Sequence, residues 1–155
     1  NYMSNDIVMT PPSLAFAIVN ALPIRDAVLE PCSGSRNFIN PLLSKASIVV
    51  TCEITEGEDF FDWTEHVDWI VTNPPWSQFR PFLQHSLEVA DNVAFLVTVN
   101  HWWTKARVKL VRDAGFGYKQ LLLVDTPPEF PATGFQLGMM HVQKGWEGPL
   151  TITQL

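Results

Sequence analysis

Short apolar runs rich in β-branched residues alternate with helical patterns along this chain. The strand-like runs cover 27–31, 47–54, 68–72, 92–99, 118–125 and 136–145, and the helical patterns cover 9–22, 38–46, 77–90 and 104–115. Runs that are apolar at consecutive positions are typical of strands covered on both faces, and strands that alternate with helices form mostly parallel sheets. The pattern therefore predicts an α/β fold, with Thr10 expected as N-cap of the first helix.

The composition of the chain excludes several classes of protein. The 155 residues suit one domain with a sizeable core, and ten basic against sixteen acidic residues argue against a protein that coats nucleic acid by bulk charge. Cys32 and Cys52 are too few for a disulfide scaffold and are expected to be reduced core thiols. No apolar run approaches the ~20 residues of a membrane helix. We therefore expect a cytoplasmic protein with no membrane contact.

In such a fold, the residues that bind ligands are expected directly after the strands. In open α/β sheets, ligands bind beyond the carboxyl ends of the strands, at the point where the strand order reverses. The polar and aromatic segments that follow predicted strands are Glu30–Arg36, Glu53, Asn73–Trp76, Asn100–Trp103 and the loop 126–135.

Three of these features suit a nucleotide-like ligand. The turn "LEPCSG" (29–34) precedes a helical pattern, so its backbone could approach a ligand closely. Glu53 stands where nucleotide-binding α/β folds hold ribose hydroxyls, although it could also be a solvated charge at a strand end. Asp59 and Phe60 offer an acceptor beside a ring, which suits adenine; a loop acid beside a core phenylalanine is the simpler interpretation.

The segment "NPPW" (73–76) ends a buried strand with two prolines, which cannot continue it. Asn73 precedes proline and is held extended, so its side-chain oxygen and the Pro74 carbonyl can converge on one point. Two convergent acceptors match an –NH₂ group, and Trp76 offers a face on which a base could stack. Holding both hydrogens out of the plane of a conjugated amine returns its lone pair to nitrogen and makes it a nucleophile.

Together these motifs resemble a known family. "TPP" (10–12), "LEPCSG", Glu53, "DF" (59–60) and "NPPW" occur in the order seen in class I S-adenosylmethionine-dependent amino-methyltransferases. The chain looks most like compact bacterial and phage-borne members of the N6-adenine type, whose hallmark is Asn-Pro-Pro followed by an aromatic residue. The resemblance implies one Rossmann-like methyltransferase domain over 1–155, with a mostly parallel sheet and an antiparallel last strand. It also implies methylation of adenine N6 in nucleic acid, with DNA favoured over RNA.

The resemblance assigns roles residue by residue. S-adenosyl-L-methionine would be held by Thr10, Glu30, Cys32, Gly34, Glu53, Asp59 and Phe60, and the target amine by Asn73, Pro74, Pro75 and Trp76. No metal is expected. Arg36 departs from the family, which usually carries a second glycine there, and this departure puts cofactor affinity in doubt.

Substrate contacts are expected in the basic, aromatic stretch 100–112 and in the loop 126–135. The candidates are Trp102, Trp103, Lys105 and Phe130, since aromatic steps beside positive charge suit a splayed-out base and its phosphates. A core tryptophan pair followed by a solvated helix is the competing interpretation, and it is favoured more for Trp103 than for Trp102. Phe130 could likewise close the core instead of contacting nucleic acid. Nothing remains for a separate target-recognition domain, so we expect a partner subunit to supply target recognition or the preference to be weak.

Two other functions remain open. The same Asn-Pro-Pro arrangement could hold a glutamine side-chain amide in a protein methyltransferase. A catalytically silent methyltransferase fold that serves as a binding subunit would also fit, and Arg36 keeps that possibility open.

Overall fold

The computed structural model describes residues 9–32, 37–52 and 57–155. Its helices are α1 (Pro12–Ala21), α2 (Ile39–Leu43), α3 (Phe79–Val89) and α4 (Lys105–Asp113). Its strands are β1 (Ala27–Glu30), β2 (Ile48–Thr51), β3 (Val67–Thr72), β4 (Ala90–Thr98), β5 (Phe116–Val124), β6 (Leu137–Lys144) and β7 (Thr151–Gln154). Short 3₁₀ turns occupy Phe60–Asp62, Trp76–Gln78 and Val99–Trp102.

The described strands form one sheet in the order β2-β1-β3-β4-β6-β5-β7. All of them run in one direction except β6, which is antiparallel to both β4 and β5. The predicted α/β class, the mostly parallel sheet and the late antiparallel strand are confirmed. After β1 the chain crosses to β2 on one side and later to β3 on the other. The switch point therefore lies between the carboxyl ends of β1 and β3.

One strand was not predicted. β7 follows β6 and pairs in parallel with β5, so the last strand is not the antiparallel one. All four of its residues are exposed, and the segment "TITQ" has no buried face whose apolar pattern could have indicated a strand.

The sheet is covered on both faces, which explains its continuous apolar strands. Helices α3 and α4 pack on one face, where the core includes Ile70, Val93 and Phe95. Helices α1 and α2 pack on the other face, over a core that includes Val71 and Leu96. Successive residues of β3 and β4 thus enter opposite apolar layers, and hydrophobic burial on both sides holds the sheet.

Helix α1 begins one residue later than predicted. Its N-cap is Pro11, with no side-chain hydrogen bond, and Thr10 lies outside the helix. Pro12 at the first helical position has no N–H group that would need a cap, and the Ala15 N–H already donates to the Pro11 carbonyl (3.0 Å). The expected capping role of Thr10 is therefore wrong, and its hydroxyl makes no capping hydrogen bond to α1.

The turn that leads into β7 packs directly on β5 at Gly117. A Cβ atom built there would stand 2.1 Å from the Trp146 backbone oxygen, whereas one built at Gly148 would first meet the far end of the Trp146 ring. We expect Gly117→Ala to lower the free energy of unfolding in urea by about 1–3 kcal/mol, because backbone must move. Gly148→Ala is the matched control and should cost clearly less, since a side chain can turn away. Equal losses would contradict this account of the contact.

Candidate active site

A hydrogen bond joins the two strands that flank the switch point. The Thr72 hydroxyl, at the end of β3, donates to Glu30 Oε1, at the end of β1, over 2.5 Å. The Cys32 backbone N–H donates to the same oxygen (2.7 Å). Both Glu30 and Thr72 are buried. The carboxyl group therefore fixes the first residues of the turn after β1 to the end of β3.

Burial determines the charge of this carboxyl group. Removal from water raises the pKa of Glu30 from 4.5 to about 8, although the hydrogen bonds from Thr72 and Cys32 oppose the shift. Near neutral pH the side chain is mostly protonated, so its second oxygen can donate a hydrogen bond. Burial likewise raises the pKa of the Cys32 thiol well above its ordinary value, with the neighbouring Glu30 as a second cause. Both groups thus offer polar contacts without a buried charge.

The Asn-Pro-Pro-Trp segment follows Thr72 directly. Pro74 and Pro75 are buried, and Asn73 and Trp76 are half-buried. The Trp76 indole N–H donates to Asn73 Oδ1 (3.3 Å) and, at 3.4 Å, to the carbonyl of Leu96 on β4. This contact orients the Asn73 amide, because the oxygen must face the indole. A carbonyl oxygen has two lone pairs, so the same atom can still accept a hydrogen from a ligand.

The Trp76 ring itself lies within an aromatic group. Its centre is 5.8 Å from the His101 ring and 6.2 Å from the Phe130 ring. Phe130 is only 5% exposed, so the structure corrects its expected role as a substrate contact: it supports Trp76 from the loop after β5. Phe135, on the same loop, is 58% exposed and is the aromatic side chain there that a ligand could reach.

Thr10 precedes α1 and contacts Asn37, which precedes α2. It is fully buried, and its backbone carbonyl accepts a hydrogen bond from the Asn37 side chain. The Thr10 hydroxyl has no partner among the residues that the structure describes. An unpaired buried hydroxyl costs free energy unless a ligand or water satisfies it, so this atom fits a polar group of a bound molecule. Gly34, Arg36 and Glu53, also expected here, lie outside the described residues.

The two residues predicted to contact adenine differ in their exposure to solvent. Asp59 is exposed, and its Oδ1 atom accepts the Phe61 N–H (2.9 Å). Phe60 is 2% exposed and its ring stacks on Phe82, with centres 5.3 Å apart, while the His85 ring meets its edge. The expected stacking role of Phe60 is therefore corrected: its ring belongs to the core. Phe61, 37% exposed, is the ring beside Asp59 that a base could reach.

The two tryptophans after β4 also differ in their exposure to solvent. Trp102 is fully buried and packs edge-on to Phe79, with centres 5.0 Å apart, so it cannot stack on a substrate base as expected. Trp103 is 47% exposed and rests on the Tyr118 ring at 4.7 Å. Lys105, the other residue predicted there, is exposed at the start of α4. Adjacent identical residues on a turn necessarily point in different directions, which sequence alone does not resolve.

Sequence reasoning missed Thr72, and it expected His101 near the site without an acid/base role. His101 Nδ1 lies 2.9 Å from the Thr98 hydroxyl and 3.0 Å from the Thr98 carbonyl, so both oxygens of Thr98 hold this side of the ring. Burial lowers the pKa of His101, and the Arg107 guanidinium, which donates to the His101 carbonyl, lowers it further. The imidazole beside Trp76 is therefore neutral. A polar residue at the end of an apolar run, as at Thr72, was the available signal.

A group of possible metal ligands lies elsewhere. His66, Asp68 and Asp91 bring their donor atoms within 4.8 Å of one another at the amino ends of β3 and β4, the edge opposite the candidate site. Across residues 9–32, 37–52 and 57–155, no helix is long and apolar enough to cross a membrane.

Comparison with known proteins gives structural but not sequence relatives. No protein-family model matches the chain, and the search of curated proteins finds no significant match. A proposed class I S-adenosylmethionine-dependent methyltransferase from Listeria monocytogenes is similar in structure, with a TM-score of 0.67, 11% identity, and coverage of 100% of this chain and 68% of that one. A proposed RNA methyltransferase from Pyrococcus horikoshii gives a TM-score of 0.61 and 19% identity over 93% of this chain and 90% of that one.

A third similar structure is the modification subunit of a proposed type I restriction enzyme from Vibrio vulnificus. Its TM-score is 0.66 at 11% identity, and the match covers 95% of this chain but only 46% of that subunit. At such identities the likeness concerns the fold. The chain has the Rossmann-like methyltransferase fold, as expected, and its substrate must be argued from its own residues.

The buried Glu30 makes stability depend on pH. An unfolded chain releases this proton above about pH 4.5, whereas the folded chain holds it to about pH 8. Between these values the folded state binds more protons, so this group's contribution to the free energy of unfolding falls as pH rises, by at most about 1.4 kcal/mol per pH unit. Glu30→Gln keeps the acceptor oxygen but cannot ionise, so the difference in free energy of unfolding between this variant and the original protein should shift in favour of the variant from pH 5 to pH 8.

Urea unfolding at each pH measures this difference. Glu147→Gln, on an exposed turn, controls for the loss of one negative charge. Profiles of Glu30→Gln and the original protein that run parallel between pH 5 and pH 8 would contradict a protonated Glu30.

Proposed function

We propose that this chain transfers a methyl group from S-adenosylmethionine to the exocyclic N6 amine of adenine in nucleic acid. The observation that carries the proposal is the Asn73 oxygen, which the Trp76 N–H orients beside the switch point of a methyltransferase fold. The segment follows the strand whose Thr72 contacts Glu30, so the acceptor for an amine and the polar groups for a cofactor meet at one edge.

The described residues fit the cofactor on its methionine side. The unpaired Thr10 hydroxyl can bond a carboxylate or ammonium group, and neutral Glu30 can both accept and donate. Asp59 and the exposed Phe61 ring would lie against the adenine part. The cofactor, when bound, supplies a methyl group that is already activated on a sulfonium. The protein then contributes mainly position.

The contribution of Asn73 and Pro74 is to hold the target amine. Asn73 Oδ1 and the Pro74 carbonyl each accept one N–H, which draws both hydrogens out of the plane of the base and frees the nitrogen lone pair for attack. The Pro74 carbonyl belongs to a buried backbone that the proline rings restrict, and the Trp76 N–H holds the side-chain oxygen of Asn73. Methylation would require the amine to lose one proton; Asn73 Oδ1 would accept the N–H that carries it, and because Asn73 is half-buried this proton can pass from the amine to water.

Nucleic acid is the substrate class that the similar structures favour. The Pyrococcus protein is described as an RNA methyltransferase and the Vibrio protein as a subunit of a restriction enzyme. The Vibrio protein is itself one subunit of a proposed restriction enzyme, and we propose that target recognition by this chain likewise depends on a partner subunit. DNA remains the favoured polymer, with RNA as the alternative.

The direct test measures transfer of labelled methyl from S-adenosylmethionine to single-stranded DNA, duplex DNA and RNA, with products digested to nucleosides. N6-methyladenine is expected, and Asn73→Ala should lose at least a hundredfold in kcat, because the oriented acceptor is removed. Cofactor binding, measured separately by calorimetry, should survive in that variant. Transfer to a protein glutamine amide alone, or binding without any transfer, would overturn the assignment to adenine.

Trp76 should act through its N–H as well as its ring. Trp76→Phe keeps an aromatic ring but removes the hydrogen bond to Asn73, so the amide oxygen is no longer held in place. A hydrogen bond of this kind contributes about 1 kcal/mol, so we expect kcat to fall about five- to tenfold with KM little changed. Steady-state kinetics on an adenine-containing oligonucleotide measure both. An unchanged kcat would show that Trp76 serves only as a surface.

A further inference from the structure

A groove runs along helix α4, outside the candidate active site. It encloses about 500 Å³ and is lined by Trp103, Thr104, Lys105, Val108, Lys109, Arg112 and Asp113. The Thr104 hydroxyl accepts the Arg107 N–H (3.1 Å) and starts the helix there. Since the 3₁₀ turn Val99–Trp102 follows the carboxyl end of β4, the Trp103 end of the groove lies nearest the active-site edge and the Arg112 end lies away from it.

The groove concentrates positive charge in an acidic protein. Four of the ten cationic side chains of the chain fall within residues 105–112, which include no acid. Lys105, Lys109 and Arg112 line the groove over about 10 Å of helix. Lys109 is paired with Asp113 at 2.5 Å, whereas Lys105 and Arg112 have no ion-pair partner within the described part of the chain. The fourth cation, Arg107, instead lies over the Phe79 ring.

Trp103 gives the groove a flat, fixed surface. One side of its ring rests on Tyr118, and the Tyr118 hydroxyl donates to the Trp102 carbonyl (2.9 Å), which holds the pair in place. Nearly half of Trp103 remains exposed. A rigid aromatic face beside a line of cations is the arrangement that binds single-stranded nucleic acid, where bases stack and phosphates meet positive charge.

We propose that the α4 groove binds the phosphodiester backbone of a single strand, with one base stacked on Trp103. This places a second nucleic-acid contact along α4, separate from the Asn73 site that receives the target amine. It rests on the proposed function only in taking nucleic acid as the substrate. The cations alone would equally suit an acidic protein segment, but the open Trp103 face favours a strand whose bases can stack.

The experiment uses a fluorescent oligothymidine of twelve residues and measures its anisotropy with the whole chain over a range of salt concentrations. Oligothymidine has no adenine, so its binding reports on the groove and not on the target site. Lys105→Ala and Arg112→Ala should each lower the slope of log affinity against log salt by about 0.7, because each removes one phosphate contact. Trp103→Ala should weaken binding about tenfold or more, whereas Trp103→Phe, which keeps an aromatic ring, should retain most of the affinity of the original protein.

Two further variants serve as controls, one expected to leave the affinity unchanged and one expected to raise it. Lys144→Ala removes an exposed cation at the end of β6 and should leave affinity nearly unchanged, although net charge changes equally. Asp113→Asn frees Lys109 and should tighten binding. Failure to bind oligothymidine, an equal loss with Lys144→Ala, or full displacement by a polyglutamate peptide would each overturn the proposal. The last result would identify an acidic protein partner instead.

The outcomes separate this proposal from the proposed function. Oligothymidine binding that follows the groove variants, without methyl transfer to any adenine, would refute the methylation proposal alone. Transfer to adenine that proceeds while every groove variant binds as the original protein does would refute the groove alone.

Discussion

The hydrogen bond between the Thr72 hydroxyl and the Glu30 carboxyl is the contact around which the candidate site is organised. It spans two parallel strands that are adjacent in the sheet but 42 residues apart in sequence. One end of it fixes the turn after β1 through the Cys32 N–H, and the other stands beside Asn73. A charged carboxylate at this depth would destabilise the fold, so the group remains protonated at neutral pH. The site is therefore tied together by a neutral acid whose protonation depends on complete burial.

An aromatic group extends this organisation to the rest of the edge. Phe79, at the start of α3, lies 5.4 Å from His101 and 5.0 Å from Trp102, and Arg107 of α4 covers its ring. Through these contacts α4 is packed against the same side chains that flank Trp76. The α4 groove and the Asn73 site are thus carried by one rigid set of elements. A strand bound along α4 would have a defined position relative to the acceptors that hold an amine.

Sequence was most informative where chemistry and periodicity coincide. The apolar runs predicted β1 to β6 to within two or three residues at each end, because strands buried on both faces must be apolar throughout. The same reasoning favoured Trp103 over Trp102 as the core residue, which is wrong, and it did not separate Phe60 from Phe61. Side-chain burial depends on distant neighbours such as Tyr118 and Phe82, which the local pattern does not contain. It also missed Thr72, whose importance comes from a partner on another strand. The exposed β7 had no pattern to find.

The two prolines of the candidate site have a consequence for how it comes to be ordered. A proline ring restricts the backbone in the unfolded chain as well as in the native one, so Pro74 and Pro75 lose less conformational entropy on folding than other residues would. Each can stabilise the native state by about 0.4–1 kcal/mol for this reason alone, where its ring suits the native backbone. The proline rings thus restrict the backbone of this segment before the chain folds. The acceptors for a planar amine need no lid to assemble them.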